Sequence, residues 1–164
     1  LNIILKFDKM KHLFLVLFGI GIVSLFISAQ LPEDTKDNNS SGISFHQGSW
    51  EEALARAKKE NKPVFLDISA SWCAPCKLLK ATTFTNQKVA EFYNSNFVNA
   101  AFDGEKGEGI LLAEKFKISA YPTLLFINSD EQVIMRVEGY RTPEQFIELG
   151  VKIKENLNKS LSHR

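Results

Sequence analysis

The run Val64-Phe65-Leu66-Asp67-Ile68 constrains this chain more than any other stretch. Its apolar residues are consecutive rather than alternating, and Val64, Phe65 and Ile68 are β-branched or aromatic. Such a run reads as a strand buried on both faces, at the centre of a sheet with helices on either side. One acidic residue, Asp67, interrupts it.

The flanking segments supply the helices. Ser49 and Glu52 have the spacing of a capping box, and Trp50, Ala53, Leu54 and Ala57 follow a core-facing helical stripe. Asn61 and Pro63 end that helix. Residues 43–46 are expected as a short first strand. Helices are expected over 75–81 and 87–94, the second with Val89, Phe92 and Tyr93 on one face. A strand over 97–102, a loop over 103–109 and a helix over 110–116 follow. Strands at 123–128 and 133–137 flank a turn at Ser129-Asp130. Thr142-Pro143 with Gln145 opens a last helix, whose stripe is Phe146, Leu149, Val151, Ile153 and Leu157. Strands alternating with helices imply an α/β fold. The expected sheet is central, mixed and mostly parallel, flanked by helices.

The N-terminal part reads differently. Lys11 precedes an uncharged run over 13–29, LFLVLFGIGIVSLFISA, that ends in a small residue. A basic start, an apolar stretch and a small residue are the pattern of a secretory signal peptide. The expected start is Met10, with cleavage before Gln30. The run also reaches the lower limit for a spanning helix, about 17 residues, so retention as a membrane anchor is the alternative. Either outcome puts the remainder in the periplasm or otherwise outside the cytoplasm. Residues 30–42, QLPEDTKDNNSSG, are too polar to bury a core and read as a linker. Residues 43–164 read as one domain. The net charge of +1, from 20 Lys+Arg against 19 Asp+Glu, excludes the basic footprint of a nucleic-acid binder. Residues 105–108, Glu-Lys-Gly-Glu, read as solvated surface.

The chain has 2 Cys, both in Cys73-Ala74-Pro75-Cys76. With a helix starting between them, Cys73 lies at its N-terminus, where unpaired N–H groups favour a thiolate. Cys76, one turn on, is placed to resolve a mixed disulfide. A Cys-x-x-Cys is also half of a zinc site, but a closed site needs four ligands. A purely structural bridge is the third reading, and a four-residue loop restrains the unfolded chain little.

DISASWCAPCK, SAYPT and RVEGY, in that order, resemble the thioredoxin family over about residues 49–157. The stretch LLKATTFTNQKVAEFYNSNFV is more similar to exported thioredoxin-like domains related to the C-terminal domain of the bacterial transmembrane disulfide reductase. The resemblance implies the thioredoxin fold. It implies Cys73 as attacking thiol, Cys76 as resolving thiol and Asp67 as a buried carboxylate that accepts the Cys76 proton through water. It implies a cis peptide before Pro122, and a substrate face built from Trp72, Ala74, Pro75, Ala120, Tyr121 and Pro122. Ser69 stands where the family usually has a second Trp, Asn99 near the place of a Lys beside the buried Asp, and Ala74 where Gly is usual. The expected activity is protein-disulfide reduction, with disulfide oxidation or isomerisation as alternatives, and a non-catalytic binding module for extended polypeptides as another class. The resemblance implies no cofactor beyond the Cys73–Cys76 disulfide and no metal. The expected partners are protein thiol or disulfide substrates and a membrane electron donor, with no nucleic acid, and the chain is expected to act as a monomer.

Overall fold

In the computed structural model, residues 42–162 are described; the expected signal or anchor at 13–29 and the linker up to residue 41 lie outside them. Helix α1 (Trp50–Glu60) opens on the capping box formed by Ser49 and Glu52 and closes on Asn61 in the left-handed region. Strand β1 (Val64–Ser69) is buried along its whole length. Helix α2 (Ala74–Leu78) runs directly into a π turn (Leu79–Thr83). Helix α3 (Gln87–Asn96), strand β2 (Val98–Asp103) and helix α4 (Glu108–Lys115) follow. Strands β3 (Thr123–Ile127) and β4 (Val133–Glu138) precede the long helix α5 (Pro143–Ser162).

The strands form one sheet in the order β2-β1-β3-β4. It is mixed, as expected, but less parallel: β1 pairs parallel with β2, while β1–β3 and β3–β4 are antiparallel. The cause is the path after β2. Thr123, the first residue of β3, pairs with Ile68 near the end of β1, so the chain re-enters the sheet at the end it left. The eight residues of α4 span only about 12 Å. The segment after α4 leads the chain back, so the excursion is out and back rather than a full crossover.

Side chains alternate across β1. Val64, Leu66 and Ile68 join Trp50, Ala53 and Ala57 of α1 and Leu112 of α4 on one face. Phe65 joins Leu79, Val89, Tyr93, Phe126 and Phe146 on the other, under the π turn, α3 and α5.

Three local expectations change. The expected strand over 43–46 is a single bridge, Phe45 to Asn99, with His46 N–H donating to the Asn99 carbonyl at 2.7 Å. Val151 is exposed rather than part of the α5 stripe. It lies two residues from both Leu149 and Ile153, and residues two apart do not share a helix face. Helix α4 starts at Glu108, two residues early, because Glu108 faces Trp50 and accepts its backbone N–H at 3.1 Å.

Candidate active site

Asp67 and Ser69 lie on the same side of β1 as Phe65, by alternation. That side is covered by the π turn that continues the cysteine-bearing helix: Leu79 packs against Phe65, and Lys80 reaches both polar residues. Cys73 reaches the N-cap position of α2 after a turn closed by its N–H donating to the Ala70 carbonyl at 3.2 Å. Its sulfur accepts the Cys76 backbone N–H at 3.2 Å, replacing one bond that a helix start leaves unmade. Pro75 fits in the first turn because its missing N–H would have had no helical partner. The two sulfurs are joined in a disulfide, with the Cα atoms 5.3 Å apart.

Both cysteines are buried, Cys73 at 2% exposure, whereas Ala74 and Pro75 beside them are exposed. Tyr121 packs onto Ala70, Cys73 and Cys76. Trp72, 66% exposed, meets the Tyr121 ring edge-on at 6.0 Å and donates its indole N–H to Glu105 at 3.0 Å. Glu105 is therefore part of the rim and not merely solvated surface. Gly104 permits this packing: a Cβ there would come within 2.7 Å of the Tyr121 hydroxyl and 2.9 Å of Ile68. The Tyr121–Pro122 peptide is cis. Pro122 is buried, and its carbonyl accepts the Gly139 N–H at 2.8 Å. Ala120 is exposed, with its carbonyl accepting the Thr123 hydroxyl at 2.7 Å.

Asp67 is fully buried, and neither carboxylate oxygen completes a hydrogen bond. Burial pushes its pKa from the ordinary 3.8 up to about 6, against the pull of the Lys80 ammonium and the nearby Ser69 hydroxyl. Lys80 Nζ lies 3.9 Å from the carboxylate and donates to Ser69 Oγ at 2.8 Å. A carboxyl titrating there can take up and release a proton near neutral pH.

The structure thus gathers Cys73, Cys76, Trp72 and Tyr121 into one contact cluster and leaves Ala74, Pro75 and Ala120 exposed. Asn99, which stands near where the resemblance puts a Lys, is turned to other partners. It pairs with Phe65, while Asp67 pairs with Ala101. Its amide donates to Ser44 at 3.4 Å and Asn94 at 3.1 Å, tying the first segment to α3. The cation beside Asp67 comes instead from Lys80, which the sequence reading missed. Its signal was position: Lys80 follows Cys76 by four residues, one helical turn. Ser69 follows Asp67 by two, on the same side of a strand.

A four-stranded mixed sheet between helices, with a disulfide at the head of the helix after its central strand, defines a thioredoxin fold carrying a thiol–disulfide centre. A family model described as a thioredoxin-like domain matches residues 50–154, and the chain belongs to that family. It is 34% identical over 95 residues to the "Thiol:disulfide interchange protein DsbD" of Yersinia pestis (strain Pestoides F), covering 56% of this chain but 16% of that protein. The solution structure of a putative disulphide-isomerase from Bacteroides thetaiotaomicron is similar, with 46% identity and a TM-score of 0.60 over 68% of this chain and 94% of that one. The reduced C-terminal domain of Neisseria meningitidis DsbD is 27% identical, with a TM-score of 0.53 over 62% of this chain and 91% of that one.

Proposed function

We propose that this protein is an exported protein-disulfide reductase acting through Cys73 and Cys76. The observation that carries the reading is the Cys73 sulfur, set at a helix N-cap and hydrogen-bonded to the Cys76 N–H. In the reduced protein, that bond and the helix end favour the Cys73 thiolate. The thiolate attacks one sulfur of a client disulfide. A Cys73–client bond forms, the client S–S bond breaks, and one client thiolate leaves. Asp67 takes the Cys76 proton through a water, and the Cys76 thiolate attacks Cys73 Sγ. The mixed disulfide breaks, the second client thiolate leaves, and the Cys73–Cys76 disulfide forms. The client gains two electrons and the protein loses two.

The exposed residues around the disulfide suit an extended client. Trp72, Ala74 and Pro75 offer one side, and the backbone at Ala120–Tyr121, fixed by Pro122, offers an edge for strand addition. Cys73 is nearly covered, and Tyr121 is among the side chains packed against it, so an incoming disulfide meets the Tyr121 side of the site first. A reductant in an oxidising compartment needs a source of electrons. A membrane dithiol donor supplies them in this reading, which the similarity to DsbD supports. The Ala-Pro dipeptide between the cysteines favours the reducing direction.

Isomerisation is the second reading, favoured by the 46% identity to a putative disulphide-isomerase. The reduction potential of the Cys73–Cys76 couple, equilibrated in a defined thiol–disulfide buffer, separates the two. A value near about −270 mV is expected for the reductant, whereas about −120 to −180 mV would mean an oxidant or isomerase. A Cys73→Ser variant that kept full biological effect would replace both with a binding module.

A further inference from the structure

The relay proposed above leaves one step open. Asp67 is fully buried, yet it must enter each turnover as a carboxylate and afterwards lose the proton it takes from Cys76. Three observations bear on this. The Lys80 ammonium lies 3.9 Å from the carboxylate and is fixed by its bond to Ser69 Oγ at 2.8 Å. The Lys80 side chain is about half exposed, so one cation touches both the buried acid and solvent. Among the described residues, Lys80 and Ala101 line a cleft of about 430 Å³, together with Gly42, Phe45, His46 and Phe84. Ala101 is the register partner of Asp67, so this cleft borders the strand position of the acid. None of its lining residues belongs to the rim around the disulfide.

We propose that Lys80, held by Ser69, is a positioning residue that keeps Asp67 charged between turnovers and opens it to the cleft behind the disulfide, where its proton leaves. The inference rests on the thiol–disulfide reading above. The groups around Asp67 are few. Ser69 shares its side of β1, and the Lys80 ammonium reaches it from the helical stretch. Its neighbours on the flanking strands are Ala101 and Leu124, both uncharged. Asp103, at the end of β2, feels the same Lys80 ammonium and is paired with Lys106 at 3.2 Å. In the balanced step, Cys76–SH and Asp67 carboxylate give Cys76 thiolate and Asp67 carboxyl. The carboxyl then returns its proton to cleft water, and Lys80 stays protonated throughout.

An aryl disulfide such as dithiobis(nitrobenzoate) tests this with the full chain in its reduced form. It releases one coloured thiolate when Cys73 attacks and a second when Cys76 resolves, so the two steps are read separately. For Lys80→Met, the inflection of the second release is expected to move up by roughly 1 pH unit, slowing that release about fivefold at pH 6. The first release keeps its profile. Lys80→Arg restores the second profile, because it restores the charge, and Ser69→Ala moves it partway. A second-release profile for Lys80→Met or Lys80→Gln that superimposes on the unsubstituted protein would overturn the proposal while leaving the exchange reading intact. No thiolate release from the unsubstituted protein would overturn both.

Discussion

Phe65 and Asp67 are two residues apart on one strand, on one side of one sheet, and their surroundings are opposite. Phe65 is fully buried and meets Phe84, Tyr93, Phe126 and Phe146 with ring centroids between 5.1 and 5.8 Å. Tyr93 and Phe146 stack at 4.1 Å and 5°. The polar atom in this layer is satisfied: the Tyr93 hydroxyl donates to the Phe146 carbonyl at 2.7 Å. Two residues on, Asp67 is equally buried, and both its oxygens lack a completed hydrogen bond. One half of the layer is optimised for stability. The other half keeps an acid that water would solvate better. The contrast marks a polar break at the end of the aromatic layer, where Asp67, Ser69 and Lys80 meet.

The largest effect is expected where the layer is densest. Phe65→Ala removes a ring with four close aromatic partners, and the loss should be about 3–5 kcal/mol. Denaturant unfolding of the oxidised protein checks it. A loss under about 1 kcal/mol would mean the layer repacks readily and is not the stable half.

Asp67→Asn is expected to act in the opposite direction. The Asp67 carboxyl titrates near 3.8 when unfolded and about 6 when folded. As pH falls through 6 the folded state takes up the proton first, so this group favours folding fully below 3.8. That contribution is lost as pH rises through 6. The cost above pH 6 is about 3 kcal/mol. The amide matches the protonated acid in shape, so the variant should gain about that much at pH 8, little at pH 3, and lose the slope between. Thermal unfolding at several pH values reads this directly. The same variant should slow second-thiolate release at pH 7 on the order of 10²-fold, as loss of a proton acceptor does. A variant that is stabilised but resolves at the normal rate would show that Asp67 breaks the layer without serving the reaction.

This division was partly legible in the sequence. The buried run, the capping box at Ser49 and the helix opened by Pro143 are local patterns, and each formed where its residues place it. The cysteine spacing left three readings open, and the neighbouring motifs, in their order, pointed to one of them. Sheet direction was not legible, because whether a short helix completes a crossover depends on where the following loop leads. Val151 was read into a stripe that helix geometry denies it. The surroundings of Asp67 were hidden for another reason. Lys80 is 13 positions away, and only the packing of α2 and the π turn over β1 brings the two together. Glu105 lies 33 positions from Trp72 in the chain, inside a charge run that looks like surface.

Tyr93→Phe gives the smallest effect and the sharpest comparison. Tyr93 and Asp67 are both fully buried polar residues on the same side of the sheet, and burial raises the pKa of each. Tyr93 stays neutral at any working pH, since burial pushes its hydroxyl above an already high value. It costs nothing through ionisation, and its one donor is used. Removing the hydroxyl should therefore destabilise by about 1 kcal/mol, the worth of one buried hydrogen bond, with no pH dependence between 4 and 8. Asp67→Asn should stabilise, with a strong pH dependence. Opposite signs from two buried polar groups in one layer would tie the difference to hydrogen-bond satisfaction and charge, not to burial. If Tyr93→Phe instead stabilised the protein, the Tyr93–Phe146 bond would be weaker than its 2.7 Å length implies. The aromatic half would then contain a polar strain of its own, and the contrast with Asp67 would become one of degree.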